Sequence, residues 1–142
     1  MARTLILAAL AMANSLASAQ LRNFDGHAIV DMGTEYTIVG GRFTPTVGID
    51  LPDQVVVLCV SGAWRVRVLV TTGSFRKNGL GGYIASVNRS LFKADILLQP
   101  FSRGDWALVA CIEDFVPGSP PVTVSLTIGS QTGTTDVKVY SF

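Results

Sequence analysis

The chain reads as an all-β protein, an antiparallel β-sandwich or jelly-roll-like fold of about 8–10 short strands behind an N-terminal apolar helical segment. Three observations predict this. After Gln20 the apolar residues recur with a period of two, no helical period survives beyond a turn or two, and the candidate strands are rich in β-branched residues with Gly, Pro, Asn, Asp and Ser filling the gaps. Short strands at this spacing, with no helices between them, pack as antiparallel layers and not as a parallel sheet. The size suits one domain: 142 residues with 49% hydrophobic and 15% charged side chains can bury a core and are too poor in charge for a disordered chain.

Residues 1–20, MARTLILAALAMANSLASAQ, carry one positive charge at Arg3, an apolar run from Thr4 to Ala13 and then Ala17-Ser18-Ala19. This is the three-part layout of a secretory signal peptide, with cleavage expected after Ala19. The run is too short for a membrane span, which takes about 20 apolar residues. A competing reading keeps residues 1–19 as an apolar helix, because Leu5, Ala8, Ala9, Met12, Ala13 and Leu16 fall at helical spacing. Such a helix would bury itself against neighbouring copies, as in a virion or filament subunit. Residues 20–142 form the single β domain under either reading.

The strands expected in order are His27–Met32, Tyr36–Val39, Phe43–Ile49, Gln54–Val60, Trp64–Thr71, Gly82–Val87, Leu91–Leu98, Asp105–Glu113, Val122–Ile128 and Thr135–Phe142. Val122, Val124, Leu126 and Ile128 alternate with Thr123, Ser125 and Thr127, so that strand is wet on one face. Gln54–Val60 and Trp106–Ile112 are apolar on both faces and are expected at the centre of the fold. Thr135–Phe142 is expected at a sheet edge, where its backbone could continue into another chain.

Cys59 lies near Trp64 and Cys111 near Trp106, and each pair of positions, 59 with 111 and 64 with 106, adds to the same total. A constant total is the signature of antiparallel register, so one ladder would set Cys59 opposite Cys111. In an exported protein two such cysteines make a disulfide; the alternative is two thiols acting as small apolar residues.

The balance of 11 Lys and Arg against 10 Asp and Glu, a net charge of +1, gives no basic excess for a phosphate backbone, so a nucleic-acid partner is not expected. One His and two Cys cannot supply a closed zinc site. His27 has no G-x-S-x-G elbow to serve, and no catalytic residues are expected. The acidic residues Asp25, Asp31, Asp50, Asp53, Glu113 and Asp114 lack metal-loop spacing, and neither metal nor cofactor is expected. The glycine-rich stretch 73–82 lacks the Gly-Lys-Ser/Thr ending of a phosphate loop and is instead a candidate binding loop, with Phe75, Arg76, Lys77 and Asn78 offered at a flexible tip. Asn88-Arg89-Ser90 matches the N-glycosylation acceptor. Arg103-Gly104-Asp105 resembles the integrin-recognition tripeptide of adhesive proteins, which implies cell adhesion. The expected function is therefore non-enzymatic: a secreted or extracellular cell-surface component acting by binding or self-assembly, adhesive or structural, with itself, a surface protein or a glycan as partner. A virion subunit and a carbohydrate-binding module are the alternatives.

Overall fold

A computed structural model describes residues 19–142. The signal peptide or N-terminal helix expected over residues 1–19 therefore lies almost wholly outside the described residues. Ten strands run in order: β1 Leu21–Asp31, β2 Tyr36–Pro45, β3 Val56–Ser61, β4 Arg65–Val70, β5 Arg76–Lys77, β6 Tyr83–Asn88, β7 Lys93–Pro100, β8 Trp106–Glu113, β9 Val122–Ile128 and β10 Gln131–Ser141. They join into one mixed sheet in the spatial order β4-β3-β9-β10-β1-β2-β8-β7-β6-β5, which curls until β4 lies beside β6.

The all-β expectation holds, with two corrections to its finer form. The strands make one curled sheet, and they are not all antiparallel, because β1 and β10 pair in parallel, His27 with Lys138 through Val30 with Ser141. The cause is that β10 turns the corner of the sheet. Its first part, Gln131–Val137, pairs with β9, and its last part, Lys138–Ser141, pairs with β1. The chain's last strand thus sits inside the sheet order, contrary to the edge position expected of it.

The curl leaves one face inward. Val56, Leu58 and Val60 of β3, Val66, Val68 and Val70 of β4, and Val122, Val124, Leu126 and Ile128 of β9 meet Ala94, Ile96 and Leu98 of β7 and Leu108, Ala110 and Ile112 of β8 in a single buried core. Each fully buried Val, Leu or Ile side chain contributes roughly 1.5–3 kcal/mol, so this face is the main source of stability.

Tyr36–Val39 and the first residues of Phe43–Ile49 prove to be parts of one strand, β2, which runs through Gly40-Gly41 and ends at Pro45, short of the expected Ile49. The glycines are there for space and not for a turn. A Cβ on Gly41 would stand 2.8 Å from the Asp25 carbonyl oxygen, and one on Gly26 opposite would stand 2.6 Å from that of Gly40. The two backbones can approach only without side chains.

The expected disulfide is also corrected. Cys59 on β3 is opposite Arg67 and Ser125, Cys111 on β8 is opposite Ile38 and Asp95, and four strands stand between β3 and β8. Both cysteines are free thiols. The shared total fails because β3 makes its hairpin with β4, so Trp64 belongs to the turn after Cys59 and never reaches Trp106.

Candidate functional site

Because the inward face takes every second residue, function falls to the outward face and the rims. On β1, β2, β7 and β8 the outward positions form rows that can be followed from strand to strand. One row runs Ile84, Leu97, Val109, Gly40, His27, Lys138, and the next runs Ser86, Asp95, Cys111, Ile38, Ile29, Tyr140. Ile29, Ile38, Leu97 and Cys111 are half-buried by their neighbours, while Ile84 (43%), Val109 (40%) and Tyr140 (56%) stand open to solvent. This makes an apolar band two rows deep on a face that the core does not use. The His27 ring lies over Gly40, where a Cβ would come within 3.1 Å of the imidazole, so the imidazole covers the gap that the glycine leaves.

Polar rows bound the band. Beyond one side lie Asp25 and Arg42, opposite each other on β1 and β2, with Lys138 at the band's corner. Beyond the other lie Asp31, Tyr36, Glu113 and Lys93 in one row, with Asp95 just inside.

At the Asp25 end the ladder between β1 and β2 slips between Arg22 and Asp25, and Asn23 adopts a left-handed φ of 54°. This bulge turns Phe24 against Phe43, with ring centroids 6.2 Å apart. Outside it lies a cleft of about 420 Å³ lined by Asn23, Phe24, Asp25, Arg42, Thr44 and Asp105, and a smaller one of about 270 Å³ adjoins it beside His27. The Thr44 hydroxyl donates to Asp105 Oδ1 at 2.5 Å, so the hydroxyl that lines the cleft is held by a carboxylate and not by the imidazole. The cleft presents acceptors at Asp25 and Asp105 and donors at Arg42 and Asn23. Among the described residues no three His, Cys, Asp or Glu side chains converge as metal ligands, and no helix is long and apolar enough to cross a membrane.

The structure does not gather the residues expected of the binding loop at one exposed tip. Phe75, expected at an exposed tip, is 6% exposed and belongs to the core. Arg76 and Lys77 form β5, opposite Ile84 and Tyr83. Asn78 folds its own turn: its Oδ1 accepts from the N–H groups of Leu80 and Gly82, both at 2.9 Å, and its Nδ2 donates to Gln99 Oε1 at 3.2 Å. An aromatic followed by Arg-Lys-Asn thus reads as a plug, a short strand and a clamp.

Arg103 and Gly104 are exposed in a short turn with left-handed φ values of 61° and 79°, whereas Asp105 is half-buried and held by Thr44. The tripeptide and the cleft meet at Asp105. Asn88 is exposed at the end of β6. Sequence reasoning missed the band. Its signal was the apolar character of both faces of Trp106–Ile112, which marks a central strand and an exposed patch equally well. No family model, curated protein or solved structure matches the chain.

Proposed function

We propose that this protein is a non-enzymatic structural or adhesive component that works by assembling with further copies of itself through the outward face of β1, β2, β8 and β7. The observation that carries this reading is the apolar band centred on Val109, Cys111, Ile38 and Ile29. A contiguous exposed apolar patch rimmed by polar residues is where soluble proteins meet partners. A second copy is favoured because the two rims differ in sign. One carries Arg42 and Lys138 against Asp25, the other Asp31, Asp95 and Glu113 against Lys93. A two-fold axis lying in the interface and across the strands sets the basic rim of each copy near the acidic rim of the other, the self-complementary arrangement that an isologous dimer requires. Export fits the same reading, since loss of residues 1–19 would leave 10 basic and 10 acidic side chains and little net repulsion between copies.

Sedimentation of the purified chain at near-physiological salt tests this. Species larger than one chain are expected, and Leu97→Glu with Val109→Glu should reduce them to monomers without lowering the melting temperature. A wild-type protein that stays monomeric at high concentration overturns the reading. The mass of the native chain reports separately on export, a start at Gln20 being the expected result.

The polar cleft favours a second reading, carbohydrate binding. Planar carboxylate, amide and guanidinium groups beside the half-buried Phe24 suit the hydroxyls and apolar face of a sugar ring. Screening the wild type and an Asp25→Ala, Arg42→Ala variant on an oligosaccharide array tests it, and binding that the variant loses is the expected outcome.

A further inference from the structure

The two ends of the sheet are treated differently. At one end β5 is two residues long, a common way of blunting an edge. At the other, β4 runs for six residues and, among the described residues, ladders with β3 alone. Every second residue of such a strand turns its N–H and C=O away from the sheet, ready for another strand. Although the curl brings β4 beside β6, no ladder joins them. Between Arg65–Arg67 and the turn that carries Leu91 and Phe92 lies a pocket of about 230 Å³ floored by Val66 and Phe115. A second pocket, of about 390 Å³, lies beside Trp64 and meets the first at Arg65, Asp114 and Phe115.

The side chains along this edge are those that dominate binding energies at interfaces, Trp and Arg above all. Trp64 is 70% exposed and Leu91 is 83% exposed. Trp64 is not on a loose tip, for its backbone N–H donates to the Pro117 carbonyl at 3.0 Å. Phe115 is fixed likewise, its N–H donating to the Glu35 carbonyl at 2.9 Å and its carbonyl accepting from the Thr37 hydroxyl at 2.7 Å.

We propose that the β4 edge is a strand-addition site for an extended segment of another protein in which acidic and apolar residues alternate. The pattern follows from β4 itself. Arg65 and Arg67 point outward and Val66 and Val68 inward, so an added strand meets cations at one set of positions and the core at the other. Opposite charges stabilise a cross-strand pair and like charges destabilise it. The same rule disfavours β4 of a second copy as the occupant, since two such strands centred on Arg67 would set arginine against arginine. Glu35 lies at the Trp64 end, and the single carboxylate of Asp114 lines both pockets beside the two arginines. The acidic positions of the ligand therefore fall opposite Arg65 and Arg67, and the residue that reaches Trp64 is apolar. The site is independent of the assembly face, which lies on other strands.

The probe is a hexapeptide alternating glutamate and valine, blocked at both ends, beside a control with lysine in place of glutamate, each titrated into the full chain. The glutamate peptide should bind more tightly, protect the amides of Arg65–Val70 from hydrogen exchange, and lose affinity as salt rises. Arg65→Glu with Arg67→Glu should weaken it about tenfold and turn the preference toward the lysine peptide. If that variant melts early, Arg65→Gln with Arg67→Gln should still abolish the preference. Failure to bind, equal binding of the two peptides by the wild type, or protection confined to other strands overturns the proposal.

Discussion

The outward face has two halves that share one inward core and differ in almost everything else. On β9 and the first part of β10 the outward residues are chiefly hydroxyl-bearing, Thr123, Ser125, Thr127, Thr132 and Thr134 with Asp136, and beside them β3 turns out Val57, Cys59 and Ser61. The hydroxyls bond across the strands, Thr123 to Asp136 at 2.8 Å and Thr127 to Thr132 at 3.0 Å. On β1, β2, β7 and β8 the equivalent positions hold Ile29, Ile38, Leu97, Val109 and Cys111. Strand propensity cannot account for the difference, because Thr, Val and Ile are all good strand formers. Core packing cannot either, since none of these side chains faces inward. What remains is solvent: one half meets it with hydroxyls, and the other leaves an apolar band exposed to it.

The core should not distinguish the halves, and this is the largest effect expected. Leu126→Ala behind the hydroxyl half and Ile96→Ala behind the apolar half each remove a fully buried side chain and should each cost about 2–5 kcal/mol. Urea unfolding should show one transition in both variants. Two separated transitions would mean that the halves fold as independent units.

A buried amide ties the halves together at the corner. Gln131, fully buried at the start of β10, accepts from the N–H groups of Thr46 at 2.7 Å and Val47 at 3.1 Å and donates to the Val47 carbonyl at 3.0 Å. Gln131→Leu keeps the volume and strands those backbone groups, so a loss of about 1–3 kcal/mol is expected. Hydrogen exchange should rise at Thr46 and Val47 in particular, and unchanged exchange there would remove the amide from this role.

A matched pair of substitutions tests the comparison itself. Val109→Glu should abolish association, whereas Ser125→Glu, at an outward position of the other half, should leave the sedimentation coefficient as it is. Equal effects from both would show that association depends on net charge and not on the apolar band.

The sequence made the local part of this fold legible and left the pairing hidden. Val122–Ile128 is β9 with the boundaries and wet face that its alternation implies, because the period of two is a property of neighbours in the chain. Which strand lies beside which depends on how the whole sheet closes. That is why Thr135–Phe142 could not be placed inside the sheet, nor Cys59 kept apart from Cys111. Gly40-Gly41 reads as a break for the same reason, since only contact with Gly26 on β1 reveals that the glycines serve a close approach. Phe75 failed differently. A lone aromatic in a glycine-rich stretch is equally compatible with a recognition tip and a core plug, and the curl of the sheet decides between them.

The smallest effect expected is a titration within the apolar half. The Tyr36 phenol is pushed up from 10.0 to about 12, first by its hydrogen bond with Cys111, then by burial and by the negative charges of Cys111, Glu113 and Asp95. Its proton is thus held more tightly in the folded chain than in the unfolded one. The stability this contributes is complete below about pH 10 and is lost as pH rises through about 12, where the folded phenol also ionises. Cys111→Ala removes the first cause and should bring the Tyr36 midpoint down toward 10. Tyrosinate absorbance, followed in a Tyr83→Phe, Tyr140→Phe background, isolates this group. The titration also sharpens the comparison between the halves, since Cys111 lies in the apolar band and Cys59 lies on the other half, between Arg67 and Ser125. Cys59→Ala should therefore leave the Tyr36 midpoint unmoved, and a shift as large as that from Cys111→Ala would show that the midpoint answers to global stability and not to the neighbour across the strand.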